Sequence, residues 1–162
     1  MKLTSNEEYG LRCLVRLGYA NGQAFTIPEI SHAEGVSPAY AAKLLRVLRK
    51  HGFVKAARGK EGGYTLARPP EAIAIGDVMD ALGGRLFQSD FCTSHAGQAA
   101  ICTRSVDCSV RSLWRAVQVA VDQVLSKATL RDLLQNEEEM NSWVRSIPGP
   151  NGAVVSVTKM LV

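Results

Sequence analysis

Apolar residues in the first 50 positions recur at the three- and four-residue spacing of amphipathic helices. Thr4 and Ser5 each precede a glutamate by three residues, which is the spacing of a capping box. This pattern predicts a first helix that runs to about Ala20. A second, short helix is predicted to begin at Ile27 and to stop near Gly35.

A third helix and a hairpin follow. Ser37 and the proline after it are typical of a helix start, and a buried leucine stripe continues to about residue 51. Two short strands, over 53–57 and 64–67, flank a basic, glycine-rich turn at 58–63. Two helices joined by a short glycine-containing turn, followed by a hairpin, predict a winged helix-turn-helix.

The pattern changes beyond Pro69 and Pro70. A short helix is predicted over 75–82, whereas residues 85–110 show no period and are predicted to form a long loop. The longest helical stripe of the chain then covers 113–125, and a further short helix covers 130–134. The chain is therefore expected to be mainly α with a small β-hairpin.

Charge divides the chain into two unlike halves. Residues 1–70 carry 11 Lys and Arg against 5 Asp and Glu, whereas residues 71–162 carry 8 against 10. A basic first half predicts a polyanionic partner for that half. The apolar runs are too short to span a membrane, and the acidic, helical start does not resemble a signal peptide. We therefore expect a cytoplasmic protein without a membrane partner.

The third helix and the hairpin tip carry the candidate DNA contacts. Polar and basic side chains recur on the helix opposite the leucines, as a helix in the major groove requires. The start of the helix favours a phosphate, and cations at the tip suit a narrow minor groove. The residues predicted to contact double-stranded DNA are Ser37, Tyr40, Lys43, Arg46, Lys50, Arg58, Gly59 and Lys60.

The four cysteines fall into two groups. Cys13 lies in the apolar stripe of the first helix and is predicted to be a buried structural thiol. Cys92, Cys102 and Cys108 lie in the unstructured stretch, separated by nine and five residues. Clustered thiols in an intracellular chain are typical of an iron–sulfur cluster or zinc site, and a disulfide switch without metal is the alternative. His95 lies within the same loop and could supply a fourth ligand.

Several of these motifs together resemble a known family. They are the opening Met1–Thr4, the segment Val36–Tyr40, the hairpin Arg58–Leu66, and the three-cysteine loop before Ser112–Trp114. Over roughly residues 1–140 the chain resembles the winged-helix iron–sulfur regulators that include IscR, NsrR, RirA and RsrR. The resemblance implies a homodimer that binds a pseudo-palindromic operator, with a [2Fe–2S] or [4Fe–4S] cluster on the three cysteines. It also implies that the long helix after the cysteines is a dimerisation helix.

The chain departs from its relatives at the fourth ligand. Members of the IscR type carry a histidine three residues after the last cysteine, but this chain has Arg111 there. Other members use a carboxylate near the start of the first helix, donated by the other subunit. Glu8 occupies that position and is predicted to be the fourth ligand, with His95 as the alternative and a role at the helix dipole as a third. Glu34 falls where the RsrR type places a histidine ligand.

These observations favour a transcriptional regulator over an enzyme, because the chain shows no nucleotide-phosphate loop and no nucleophile–base constellation. Redox change, nitric oxide or iron shortage would alter the cluster and switch DNA binding. The predicted organisation is a DNA-binding domain (1–70), a connecting helix (71–84), a cluster-binding loop (85–110), dimerisation helices (111–145) and a flexible tail (146–162).

Overall fold

The computed structural model describes residues 3–57, 62–85, 87, 91–94, 96, 98 and 101–147. The described residues form eight α-helices, one two-stranded sheet and a 3-10 turn at Pro70–Ala72. In chain order the elements are α1 (Ser5–Tyr19), α2 (Ile27–Glu34), α3 (Pro38–Lys50), β1 (Val54–Ala57), β2 (Gly63–Leu66), α4 (Ile75–Leu82), α5 (Phe91–Ser94), α6 (Ser109–Leu125), α7 (Leu130–Leu133) and α8 (Glu137–Ser146).

The predicted starts of α1, α2 and α3 are confirmed, and side-chain caps explain them. The Thr4 backbone N–H donates to Glu7 at 2.7 Å, and the Glu7 N–H donates back to the Thr4 hydroxyl. The Ser37 hydroxyl accepts the Tyr40 N–H at 3.2 Å at the start of α3. These contacts satisfy N–H groups that have no partner inside the helix, so each helix begins at its polar cap.

The predicted hairpin is also confirmed. Strands β1 and β2 pair antiparallel, with Val54 opposite Leu66. Phe25, just before α2, extends this sheet by an isolated bridge to Tyr64, with N–O distances of 3.0 and 2.7 Å. The wing is therefore anchored to the helix-turn-helix by backbone hydrogen bonds as well as by its link to α3.

One apolar core joins the two halves of the chain. It is built from the inner faces of α1 and α3, the root of the hairpin, α4 and the start of α7. The side chains that are almost completely buried include Cys13, Leu14, Ile30, Leu44, Leu45, Leu48, Val54, Ile73, Val78 and Leu130. Because residues of α4 and α7 complete this core, the winged helix is packed against the second half of the chain.

Helices α1 and α4 pack closely because side chains of each lie against a glycine of the other segment. A Cβ atom added at Gly10 of α1 would collide with Leu82 of α4. One added at Gly83, just after α4, would collide with the Glu7 carboxylate. Glycine at these two positions therefore permits the close contact.

The prediction of a structureless stretch over 85–110 is wrong in two places. Residues 91–94 form α5, and α6 begins at Ser109 with Cys108 as its N-cap residue. A four-residue helix is too short to produce a visible period, and cysteine is not among the usual caps. Helix α8 was not predicted, although Asn136 and Glu139 form a capping box at its start.

Gly63 should be sensitive to any side chain, because an added Cβ would lie 2.7 Å from the Phe25 carbonyl oxygen. We expect Gly63→Ala to lower the free energy of unfolding by about 1–3 kcal/mol, the usual range for overpacking. Urea denaturation followed by circular dichroism measures this change.

The matched control is Gly76→Ala in α4, where the nearest atom would lie at 3.5 Å. Alanine favours helix over glycine, so this variant should be as stable as the original chain or more stable. Equal stabilities of the two variants would contradict the proposed clash at Gly63.

Candidate nucleic-acid interface and cysteine loop

Helix α3 has two sharply different faces. Ala41, Leu44, Leu45 and Leu48 are at most 1% exposed and hold the helix against the core. The opposite face carries the exposed cations Lys43, Arg46, Arg49 and Lys50, and α3 contains no acidic residue. Within the described part of the chain, none of these four cations forms an ion pair. The outer face of α3 is therefore a row of available donors, as groove and phosphate contacts require.

Tyr40 occupies a different environment from the other predicted contacts on α3. Its hydroxyl donates to Asn6 Oδ1 at 3.0 Å, and its ring meets the Tyr9 ring edge-on at 6.0 Å. The Lys43 ammonium lies 6.0 Å from the Tyr40 ring centroid. Tyr40 thus connects the start of α1 with the start of α3.

The predicted wing-tip residues Arg58, Gly59 and Lys60 lie outside the described residues. Exposed cations that the sequence analysis did not single out also lie in β1 and just after β2. Lys55 points outward from β1, and the Arg68 guanidinium lies 5.1 Å from the centroid of the Phe53 ring. The lysine directly after the buried Val54, within an otherwise apolar strand, was the signal that could have identified Lys55.

The three clustered cysteines lie on three different local structures. Cys92 lies in α5, Cys102 opens a turn closed by the Ser105 N–H at 3.0 Å, and Cys108 is the N-cap of α6. The Cys108 sulfur accepts the N–H of Arg111 at 3.4 Å. All three thiols are free and partly buried, whereas the Cys13 thiol is fully buried. Burial raises the pKa of Cys13 to about 12, which agrees with a structural thiol.

The described residues of a single chain do not by themselves assemble a metal site. Among the described residues, no group of three or more histidine, cysteine, aspartate or glutamate side chains lies close enough to hold a metal ion. His95 lies outside the described residues. The donors nevertheless suit an iron–sulfur cluster chemically, because three free thiols are available between α4 and α6.

The two glutamates at the start of α1 have separate roles. Glu7 is buried and belongs to the capping box of α1. Glu8 lies on the outside with 48% of its side chain exposed, and it pairs with Arg12 at 2.8 Å. The hydrogen bond and the charge of Glu8 raise the pKa of Arg12. Of the two glutamates, Glu8 is therefore the one whose carboxylate a second molecule could reach.

The Glu34 side chain forms an ion pair within the chain. Its carboxylate lies 3.2 Å from Arg16 Nε, and its side chain is only 11% exposed. This pair joins α1 to α2.

Helix α6 presents an apolar face that the described part of the chain leaves exposed. Of its 17 residues only Gln118 is buried. Val110, Leu113 and Trp114, which lie on one side of the helix, are between 44% and 59% exposed. Exposed apolar faces of this kind mark interaction surfaces.

No helix in the described part of the chain is long and apolar enough to cross a membrane.

Comparison with known proteins supports this reading of the winged helix. Residues 3–136 match the family model Rrf2, described as an iron-dependent transcriptional regulator. Protein rrf2 of Nitratidesulfovibrio vulgaris is 34% identical over 137 residues, which cover 84% of this chain and 89% of that protein.

Two solved structures are similar along most of the chain. IscR of T. potens is 31% identical, covering 83% of this chain and 86% of that one, with a TM-score of 0.62. CymR, the global cysteine regulator of B. subtilis, is 28% identical, covering 83% and 96%, with a TM-score of 0.63.

These relatives are transcriptional regulators and not enzymes. The architecture matches as well, since the helix-turn-helix, the antiparallel hairpin and the long helix α6 all lie within the matched residues. The predicted fold class, mainly α with a winged helix-turn-helix, is thus confirmed. The chain belongs to the Rrf2 family of winged-helix transcriptional regulators.

Proposed function

We propose that the chain forms a homodimeric regulator whose affinity for a pseudo-palindromic DNA operator is set by an iron–sulfur cluster. One observation carries the proposal. Cys108 is the N-cap of α6, so the cysteine loop ends on the same helix that exposes an apolar face. A change at the cysteines therefore acts directly on the candidate dimer contact.

The dimer contact is proposed to be α6 against α6 of the partner subunit. The exposed apolar side chains of this helix would be removed from water by a second copy. A two-fold contact of one helix with its own copy is self-complementary, as closed dimers require. It also fixes the separation of the two α3 helices, which must match half-sites about 34 Å apart.

The proposed ligands are Cys92, Cys102 and Cys108 with Glu8 of the partner subunit. Thiolates are the preferred ligands of iron–sulfur clusters, and the exposure of Glu8 leaves its carboxylate accessible to the other chain. A bound cluster, [2Fe–2S] or [4Fe–4S], would supply sensitivity to redox change, nitric oxide and iron supply. His95 is the alternative fourth ligand.

The contacts of Tyr40 support a route from Glu8 to the DNA. Asn6 and Tyr9, which flank Glu8 in α1, both contact Tyr40 at the start of α3. Because these side chains are in direct contact, a displacement of the start of α1 would also displace α3. In this proposal the exposed cations of α3 bind the DNA, with the wing tip reaching the minor groove.

A thiol switch without metal is the second candidate. It is favoured by the free, partly buried thiols and by the similarity to CymR of Staphylococcus aureus, for which an oxidized form has been solved. In that case oxidation would join two of the three loop cysteines. Bound zinc would instead give a colourless protein that contains metal.

The ligand proposal predicts that Glu8→Ala weakens or alters the cluster while the dimer persists, because one of four ligands is lost. Anaerobic purification with visible and EPR spectra, and assays for iron and sulfide, measure the cluster. Gel shifts measure the DNA affinity of holo and apo forms. Glu138→Ala, which removes an exposed glutamate from α8, is the control and should change neither property.

Unchanged spectra and unchanged DNA affinity in Glu8→Ala would refute the role of Glu8. A colourless, iron-free protein that forms a disulfide within the loop on oxidation would instead favour the thiol switch.

The DNA interface predicts a loss of affinity when an exposed cation of α3 is removed. Arg46→Ala should reduce affinity about tenfold or more, and it should flatten the plot of log affinity against log salt by about one unit if the contact is to a phosphate. Fluorescence anisotropy at several salt concentrations measures both quantities. Arg145→Ala in α8 removes a cation of equal charge far along the chain and should have no effect of this size.

The dimer contact predicts that a charge on the apolar face of α6 separates the subunits. Leu113 is 59% exposed in the single chain, so Leu113→Asp should leave the fold intact but shift the equilibrium to monomer. Analytical ultracentrifugation measures the shift, and circular dichroism checks the fold. Tyr19→Asp places the same charge at another exposed residue, outside α6, and should remain dimeric. A dimeric Leu113→Asp would rule out this face as the contact.

A further inference from the structure

Both ends of the cysteine loop are attached to α6 by polar side chains of that helix. At the entry, the buried Gln118 accepts the N–H of Phe87 at 3.0 Å through its Oε1 atom. The Gln118 Nε2 group donates to Asp122 at 2.8 Å, which fixes the orientation of the amide. The Phe87 ring lies 5.1 Å from the Phe91 ring, and Phe91 directly precedes Cys92 in α5.

At the exit, Arg111 holds the segment between the other two cysteines. Its guanidinium donates to the Ser105 carbonyl at 2.9 Å and to the Val106 carbonyl at 3.5 Å. Ser105 closes the turn that begins at Cys102, and the backbone N–H of Arg111 donates to the Cys108 sulfur. Arg111 therefore contacts both the turn that begins at Cys102 and the sulfur of Cys108.

The position of Arg111 is not explained by the stability of α6. It lies in the first turn of the helix, where a cation is opposed by the helix dipole. The guanidinium is planar and presents several donors in a fixed arrangement, so it can bridge two neighbouring carbonyls. A lysine ammonium lacks this planar fork, and alanine has no donor. The planar guanidinium of Arg111 thus bridges two carbonyl groups of the loop backbone.

We propose that Arg111 and Gln118 are positioning residues that hold the cysteine loop as two separate halves. Arg111 keeps Cys102 and Cys108 together at the start of α6 in the metal-free chain, whereas Gln118 holds the segment that carries Cys92. The benefit of this arrangement for binding a cluster rests on the proposed function. Two thiols are held in one half of the loop and the third is held in the other, so closing the loop brings two ordered halves together.

Such preorganisation lowers the entropic cost of closing the loop. Bringing three free thiols to one centre would order the whole segment between residues 87 and 108 at the time of binding. With the two halves already held, fewer residues have to be ordered at the time of binding. The two clamps also attach each half of the loop to the helix that is the candidate dimer contact.

The test uses the full-length chain, reduced and free of iron, in timed alkylation with N-ethylmaleimide. Mass spectrometry of peptides gives the rate at each cysteine. Arg111→Ala should accelerate labelling of Cys102 and Cys108 several-fold and leave Cys92 unchanged. Gln118→Ala should accelerate Cys92 and leave the other two unchanged.

Cys13 serves as an internal control for the fold. It is fully buried with a raised pKa, so its labelling reports global unfolding. If either alanine variant labels Cys13, Arg111→Lys or Gln118→Met replaces it, because each keeps most of the size of the original side chain but lacks the guanidinium or the amide. Hydrogen exchange at the amides of Phe87 and Ser105 gives a second readout that does not depend on thiol chemistry.

Equal acceleration of all three loop cysteines in both variants, or no acceleration in either, would overturn the proposal. A pattern divided between the two halves would support it. Because no metal is present in this experiment, its outcome is separate from that of the cluster proposal. A protein that never binds iron could still show the divided pattern, and a cluster-binding protein could fail to show it.

Discussion

The apolar contact between α1 and α3 determines where the candidate functional groups lie. Leu14 of α1 and Leu44, Leu45 and Leu48 of α3 are almost completely buried in one cluster. With its leucines held inward, α3 must present its opposite face, which carries four cations and no acid, to the solvent. The same contact places the first residues of α1 beside the start of α3, where Asn6 and Tyr40 are hydrogen-bonded. The candidate DNA surface and the candidate ligand Glu8 are thus set by one packing arrangement.

Local signals in the sequence were sufficient for most of the fold. Capping residues and periodic leucines identified α1, α2, α3 and α4, and the turn residues identified the hairpin, because these features act over a few neighbouring positions. Helix α5 was missed since four residues show no period, and the start of α6 was missed since cysteine is an unusual cap. The pattern also identified the cations of α3 and the three cysteines by type and spacing. It could not distinguish Glu7 from Glu8, which share the same local pattern but differ in burial.

Contacts between distant residues account for the rest of the candidate site. Asn6 and Tyr40 are 34 positions apart, Arg16 and Glu34 are 18 apart, and the bond from Phe87 to Gln118 spans 31. No local pattern signals such pairs, because each depends on how the helices pack. The chain is similar in fold to both IscR and CymR. A shared helical frame can carry different functional sites, since a site depends on the particular residues placed on the frame.

The close contact of α1 with α4 has a consequence for the speed of any response. Leu82 packs against Gly10 and the Glu7 carboxylate packs against Gly83 with no room for a further carbon atom, so a shift of one helix is passed to the other through close contacts. Rigid-body displacements of packed helices take microseconds to milliseconds, whereas refolding of a segment can be far slower. In the proposed mechanism, a change in the loop after Gly83 would therefore reach the DNA-binding surface within the microseconds to milliseconds of such displacements.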